Sequence, residues 1–113
     1  MQRKVAYFLQ DALDACMAIR RYLEGKSFDD YLGDDLLRSG IERQFLILGE
    51  ALNQALRLDP LLEDAITDHR KIVQFRNVLA HAYFRVKNEL VFGLAQSDLK
   101  VLARELEGLV SQE

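Results

Sequence analysis

A chain of 113 residues, half of them hydrophobic, is long enough for one compact core and too short for two ordinary domains, so a single domain over residues 1–113 is expected. Six glycines, one proline and an aliphatic content led by Leu and Ala favour helix over a β architecture. The net charge of −3 weighs against tight non-specific binding of nucleic acid, and the lone Cys16 excludes an internal disulfide or a cysteine-based metal site.

Arg3 and Lys4 lie near the start of the chain, but Gln10, Asp11 and Asp14 break up the apolar residues beyond them. This leaves neither a signal-peptide apolar run nor a span of about 20 apolar residues, and a cytoplasmic protein with no membrane association is expected. From Val5 the apolar positions Phe8, Leu9, Ala12, Leu13, Cys16, Met17, Ile19 and Leu23 alternate by threes and fours, which predicts a first helix. Cys16 shares that stripe with Leu13, Met17 and Ile19 and is read as core. The helix should stop near Gly25, a residue suited to a left-handed C-terminal position, and Ser27 to Gly33 reads as a loop that could hold one helical turn.

Asp34 suits the N-cap of a second helix from Asp35 to about Leu58, with Leu37, Ile41, Phe45, Leu48, Leu52, Ala55 and Leu56 on its apolar face and Arg38, Glu42 and Arg43 among its polar residues. Gly49 lies mid-helix at a cost of about 1 kcal/mol relative to Ala, which a close helix crossing would offset. Asp59-Pro60 opens a short helix to about Ile66. Thr67-Asp68 then caps a third long helix, His69 to Tyr83, whose core face is Ile72, Phe75, Val78, Leu79 and Ala82. After Phe84 to Lys87 a fourth helix carries Leu90, Val91, Leu94, Leu99, Leu102, Leu106 and Leu109. The predicted fold is all-α, an antiparallel four-helix bundle with a short additional helix between the second and third.

The third helix holds the chemistry. Residues 69–87 carry Arg70, Lys71, Arg76, Arg85 and Lys87 with no acid, a formal +5, whereas the other residues hold 10 basic and 18 acidic side chains. Within this basic stretch Arg76-Asn77-Val78-Leu79-Ala80-His81-Ala82-Tyr83 sets a permanent cation near an imidazole, whose reference pKa is about 6.5. That pairing suits binding or cleavage of a phosphodiester. On a straight helix Arg76 and Tyr83 fall within about 20° of each other, Arg76 and His81 differ by about 140°, and Asn77 lies one turn from His81, placed to orient the imidazole. Arg76 can therefore reach the phosphate that His81 serves in two ways: the helix is distorted or ends near Ala80, or two copies of the helix meet across a symmetric dimer. On spacing alone, a hydrogen-bonded histidine and a solvated arginine beside a tyrosine compete with this reading. His69 and His81, twelve apart with only Asp68 near, do not make a metal site, and Ser27, Ser39, Ser97 and Ser111 lack the glycine-rich elbow of a nucleophilic serine.

The run Arg76 to Phe84 resembles the Arg, four residues, His, one residue, Tyr motif of HepT-like toxins, a branch of the HEPN superfamily. Ile41-Glu42-Arg43 and Ile47-Leu48-Gly49-Glu50-Ala51-Leu52 resemble that family's second helix, and Ser97-Asp98-Leu99 its fourth, so the similarity covers nearly the whole chain. The resemblance implies a HEPN-like bundle that forms a homodimer with its motifs facing one another across a cleft for RNA. It implies metal-independent endoribonuclease activity without a cofactor: His81 as general acid/base, Arg76 on the scissile phosphate, Asn77 positioning the histidine. It further implies membership of a type VII-like toxin–antitoxin system, in which a minimal nucleotidyltransferase (MntA-like) antitoxin silences the toxin by transferring AMP to the motif tyrosine, here Tyr83.

The chain departs from the family pattern at three positions. His69 stands where many relatives have tryptophan, Arg85 where they have glycine, and Lys100 where a proline often follows the Asp-Leu pair. The first two add cationic capacity, so His69, Arg70, Lys71, Arg85 and Lys87 are candidate RNA contacts. Two other functions compete with the ribonuclease: a non-catalytic HEPN module that is partner or substrate of the nucleotidyltransferase, and a helical interaction protein without nucleotide chemistry.

Overall fold

The structure, a computed structural model, describes residues 1–112. These form α1 (Arg3–Tyr22), α2 (Phe28–Leu32), α3 (Asp35–Leu58), α4 (His69–His81), α5 (Asn88–Gly93) and α6 (Leu99–Val110), with 3-10 turns at Pro60–Asp64 and Tyr83–Arg85 and a π turn at Leu94–Asp98. The fold is all-α, as the periodicity predicts.

Local chemistry sets most of the boundaries. After Leu23 the chain turns at Gly25, whose φ of +72° is the left-handed conformation expected there. The Ser27–Gly33 segment is more ordered than a loop: Ser27 and Asp30 form a reciprocal capping box that starts α2. The Asp34 carboxylate accepts from the Leu37 N–H at 3.0 Å and opens α3. Asp59 similarly accepts from the Leu61 N–H, but the short helix after it is a 3-10 turn ending at Asp64. Asp68 makes no side-chain cap to α4. The chain there is held instead by Glu105 of α6, which accepts from the N–H and hydroxyl of Thr67.

The buried side chains make one connected cluster in which Leu9, Cys16 and Ile19 of α1 meet Ile41, Phe45, Leu48 and Leu52 of α3, Ile72 and Phe75 of α4, and Leu99, Leu102 and Leu106 of α6. Phe45 and Phe75 pack edge to face at 5.1 Å across the α3–α4 interface. Met17 departs from the expected core stripe. It is exposed, one position too far around α1 from Cys16, while Leu13 is partly buried.

The other departures lie in the second half. The third helix stops at His81, not Tyr83: Ala82 leaves helical geometry (φ −142°, ψ 46°), and Arg85 N–H and Val86 N–H close the next turn onto Ala82 and Tyr83 carbonyls. The reversal lets α5 return toward the bundle, where Phe92 packs on Phe28 and Tyr31 of α2. The expected fourth helix is interrupted by the π turn, even without a proline at Lys100. The wider turn brings Val91, Leu94 and Ala95 onto the same buried face as Leu99, Leu102 and Leu106.

Candidate functional site

The pairing of α3 with α4 fixes the site. A Cβ added at Gly49 would lie 2.3 Å from Arg76 Cβ, so the absent side chain is what lets α4 cross this closely. From that crossing Arg76 Nη2 reaches Glu50 Oε2 at 2.7 Å, and further along, the Tyr83 hydroxyl donates to Glu42 Oε1 at 2.7 Å. Numbers rise along α4 as they fall along α3, so the two helices run antiparallel.

Arg76 and Tyr83 thus both engage α3, although Tyr83 lies past the end of the helix on which a 20° offset would apply. Arg76 is half-buried, and its Nη1 donates to Asn77 Oδ1 at 3.0 Å. Asn77 and His81 are exposed on the outer side of α4, together with Arg70 and Gln74 at helical spacing. The Asn77 carboxamide is held by Arg76, not by His81, whose ring has no side-chain hydrogen bond among the described residues. Because α4 stays regular through His81, distortion does not bring the arginine and histidine together within one chain.

The other basic residues separate in space. Lys71 faces away from the stripe and pairs with Asp98 at 2.9 Å. Burial raises the Asp98 carboxyl, but the Lys71 ammonium and the Ser97 hydroxyl outweigh it and hold the group below the usual carboxylate range. His69 and Arg70 line a shallow cleft with Asn53, Arg57 and Val73. Arg85 stacks over Phe84, its guanidinium carbon 5.5 Å from the ring centroid, and Lys87 is exposed at the start of α5. Among the described residues Arg70, Arg85 and Lys87 have no ion-pair partner.

Arg76 also borders a cleft of about 420 Å³, whose walls include Phe8 of α1 and Arg43, Leu46, Ile47 and Glu50 of α3. It is open and part apolar, with two guanidinium groups at its edge. No group of histidine, cysteine and carboxylate side chains among the described residues could hold a metal ion, and no helix there is long and apolar enough to cross a membrane.

Sequence reasoning missed the acidic partners. Glu50 and Glu42 lie eight apart on α3 and answer Arg76 and Tyr83, seven apart on α4 and its turn. That matched spacing between two antiparallel helices is the signal that could have found them. Next to this pair of contacts Tyr31 is fully buried, its hydroxyl without a hydrogen-bond partner among the described residues, and burial followed by the nearby Glu42 charge pushes its phenol well above the ordinary range.

The profile of a family described as "Ribonuclease HepT-like" matches residues 12–109. Similar proteins include a "Probable ribonuclease HepT" of Thermococcus cleftensis, 27% identical over 96% of this chain and 98% of that protein. Two named "Putative RNase" are each 23% identical: one from Methanocaldococcus jannaschii, covering 94% of this chain and 96% of its own, and one from Caldanaerobacter subterraneus, covering 94% of each. No solved structure gives a significant match. Since the profile match runs from within α1 to the last turn of α6, the chain belongs to the HepT-like ribonuclease family.

Proposed function

We propose that the chain is the toxin of a toxin–antitoxin pair, a cytoplasmic metal-independent endoribonuclease that works as a homodimer. The observation that carries this reading is the separation of Arg76 and His81: the arginine sits against α3 and the histidine faces outward with no side-chain partner among the described residues. Two copies related by a two-fold axis place the arginine of one protomer beside the histidine of the other. Leu46 and Ile47, partly buried beside Arg76, supply apolar surface for such a contact.

In this dimer one His81 takes the proton of the RNA 2′-hydroxyl, the other protonates the leaving oxygen, and Arg76 offsets charge growing on the phosphate. Asn77 holds the Arg76 guanidinium through its carboxamide oxygen, and Arg70, which shares the outer face of α4 with His81, steadies the flanking phosphates together with His69. Arg85 and Lys87 extend this contact beyond α4, and Lys71 joins only if RNA displaces Asp98.

Tyr83 is exposed at the helix end, where an AMP group transferred by a nucleotidyltransferase antitoxin would add bulk and negative charge beside the cleft. The pairing of Arg76 with Glu50 favours a second reading, in which the chain accepts AMP and binds its partner without cutting RNA.

His81→Ala and Arg76→Ala each abolish cleavage of a single-stranded RNA while leaving helicity and solution mass unchanged. Cleavage that persists in both variants refutes the enzyme, and a strict monomer at micromolar concentration refutes the shared cleft. Wild-type chain that accepts AMP at Tyr83 from the nucleotidyltransferase encoded beside it, yet cuts no RNA, establishes the second reading.

A further inference from the structure

We propose that Glu42 is the base that activates Tyr83 for modification, a role that rests on the reading of Tyr83 as the AMP acceptor. The Tyr83 hydroxyl already points its proton at Glu42 Oε1, 2.7 Å away. Among the described residues no cation is paired with the carboxylate. Arg38, one helical turn before it, is spent on the main-chain carbonyls of Tyr31 and Leu32 and on Asp35. The wall behind the pair is the buried Tyr31, whose hydroxyl makes no hydrogen bond among the described residues, where Tyr31, Arg38 and Tyr83 are the titratable groups that face Glu42.

With ATP as the donor, Tyr83 Oη attacks the α-phosphorus and the new O–P bond forms. The bond from that phosphorus to the oxygen bridging the β-phosphate breaks, and pyrophosphate leaves with the electron pair. The phenolic proton passes to Glu42 and from there to solvent. Proton removal in step with attack matters because the bond to Glu42 holds the resting phenol above its ordinary range, so free phenolate is scarcer at Tyr83 than at an unpaired tyrosine.

Tyr7 provides an internal standard, since it is 63% exposed against 59% for Tyr83 and has no carboxylate partner among the hydrogen bonds described. The full-length chain is treated with an arylsulfonyl fluoride, which takes a phenol oxygen at sulfur and expels fluoride, and labelling is followed by peptide mass mapping. Tyr83 is expected to label about tenfold or more faster than Tyr7 near neutral pH, the low end of general-base assistance being about 10²-fold and partly offset by the tighter phenol proton. Glu42→Gln brings the two rates together without altering Tyr7, and Glu42→Asp restores part of the difference. In the wild type the Tyr83 rate changes little with pH near neutrality, whereas in Glu42→Gln it climbs with the phenolate fraction. Equal rates at Tyr83 and Tyr7, or a Tyr83 rate and pH profile unmoved by Glu42→Gln, overturn the proposal.

AMP transfer separates the two ideas. If Tyr83 takes AMP from the neighbouring nucleotidyltransferase and Glu42→Gln takes it as fast, the base assignment fails and the acceptor reading stands. If labelling shows assistance but no AMP is taken up, the acceptor reading fails and Glu42 remains the base for Tyr83.

Discussion

Gly49 on α3 and Arg76 on α4 occupy one another's space: a methyl group at position 49 would fall 2.3 Å from Arg76 Cβ and 2.8 Å from its Cγ. The clash involves the root of the side chain, so a rotamer change at the tip does not relieve it and the helices must separate. Gly49→Ala gains about 1 kcal/mol of helix propensity but meets an overpacking cost of about 1–3 kcal/mol. The net expectation is a loss of up to about 2 kcal/mol in denaturant unfolding, with weaker RNA cleavage because Arg76 is displaced. A variant more stable than the wild type would contradict the close crossing.

Glu50 pairs with Arg76 at rest, so in the proposed mechanism an RNA phosphate has to displace it. Both side chains are partly exposed, which places such a pair at about 0.2–1 kcal/mol. Adding Glu50→Gln to a His81→Ala background, to prevent cleavage, should tighten binding of a single-stranded RNA by up to about fivefold at low salt. The gain should fade as salt rises. Fluorescence anisotropy titrations check it, and unchanged or weaker binding counts against Arg76 as a phosphate contact.

Tyr31 offers the opposite case, a buried hydroxyl with no hydrogen-bond partner among the described residues. Tyr31→Phe removes an unsatisfied group and is expected to leave stability unchanged or raise it by about 1 kcal/mol. Its phenol is raised above the ordinary value of about 10, so its contribution to stability is complete below that pH and is lost as the pH climbs through the folded value. The wild type should therefore fall further below the variant as the solution becomes strongly alkaline. A clear destabilisation near neutral pH would show that the hydroxyl has a partner.

The Lys71–Asp98 pair ties the start of α4 to the π turn before α6. Asp98 is lowered in the fold, so its contribution is present above the ordinary carboxylate range and disappears as pH falls through the folded value. Lys71 is raised, chiefly by its hydrogen bond to Asp98, so its contribution is present below the ordinary lysine range and disappears as pH rises past the folded value. Asp98→Asn should thus lower stability by a constant amount between about pH 5 and 10 and match the wild type once the pH has fallen below the folded value of Asp98. Urea midpoints across that range test the pattern; a difference that survives in acid excludes the ion pair as its source.

The sequence was most legible where structure is local. Asp34, Gly25 and the Ser27–Asp30 neighbourhood act through bonds within a few residues, and the three-four spacing on α1 and α3 chose the buried faces. The break at Ala82 and the π turn at Leu94–Asp98 were hidden because neither has a breaker residue of its own. Both arise from where α5 and α6 must dock. At the site, helical rotation alone set Arg76 apart from His81. It could not supply Glu50 or Glu42, since those contacts exist only once α3 and α4 are paired antiparallel, and it assigned Asn77 to the histidine where the arginine claims it.

Cys16 has no access to solvent, and burial pushes its thiol up to about 12. The chain's only thiol is therefore silent toward alkylating reagents while the core is closed. A cysteine introduced at Gln74, on the exposed side of α4, could carry a spin label or fluorophore alone, with the native residue left in place. Distances between two such labels would test whether two copies pair in solution as the proposed dimer requires.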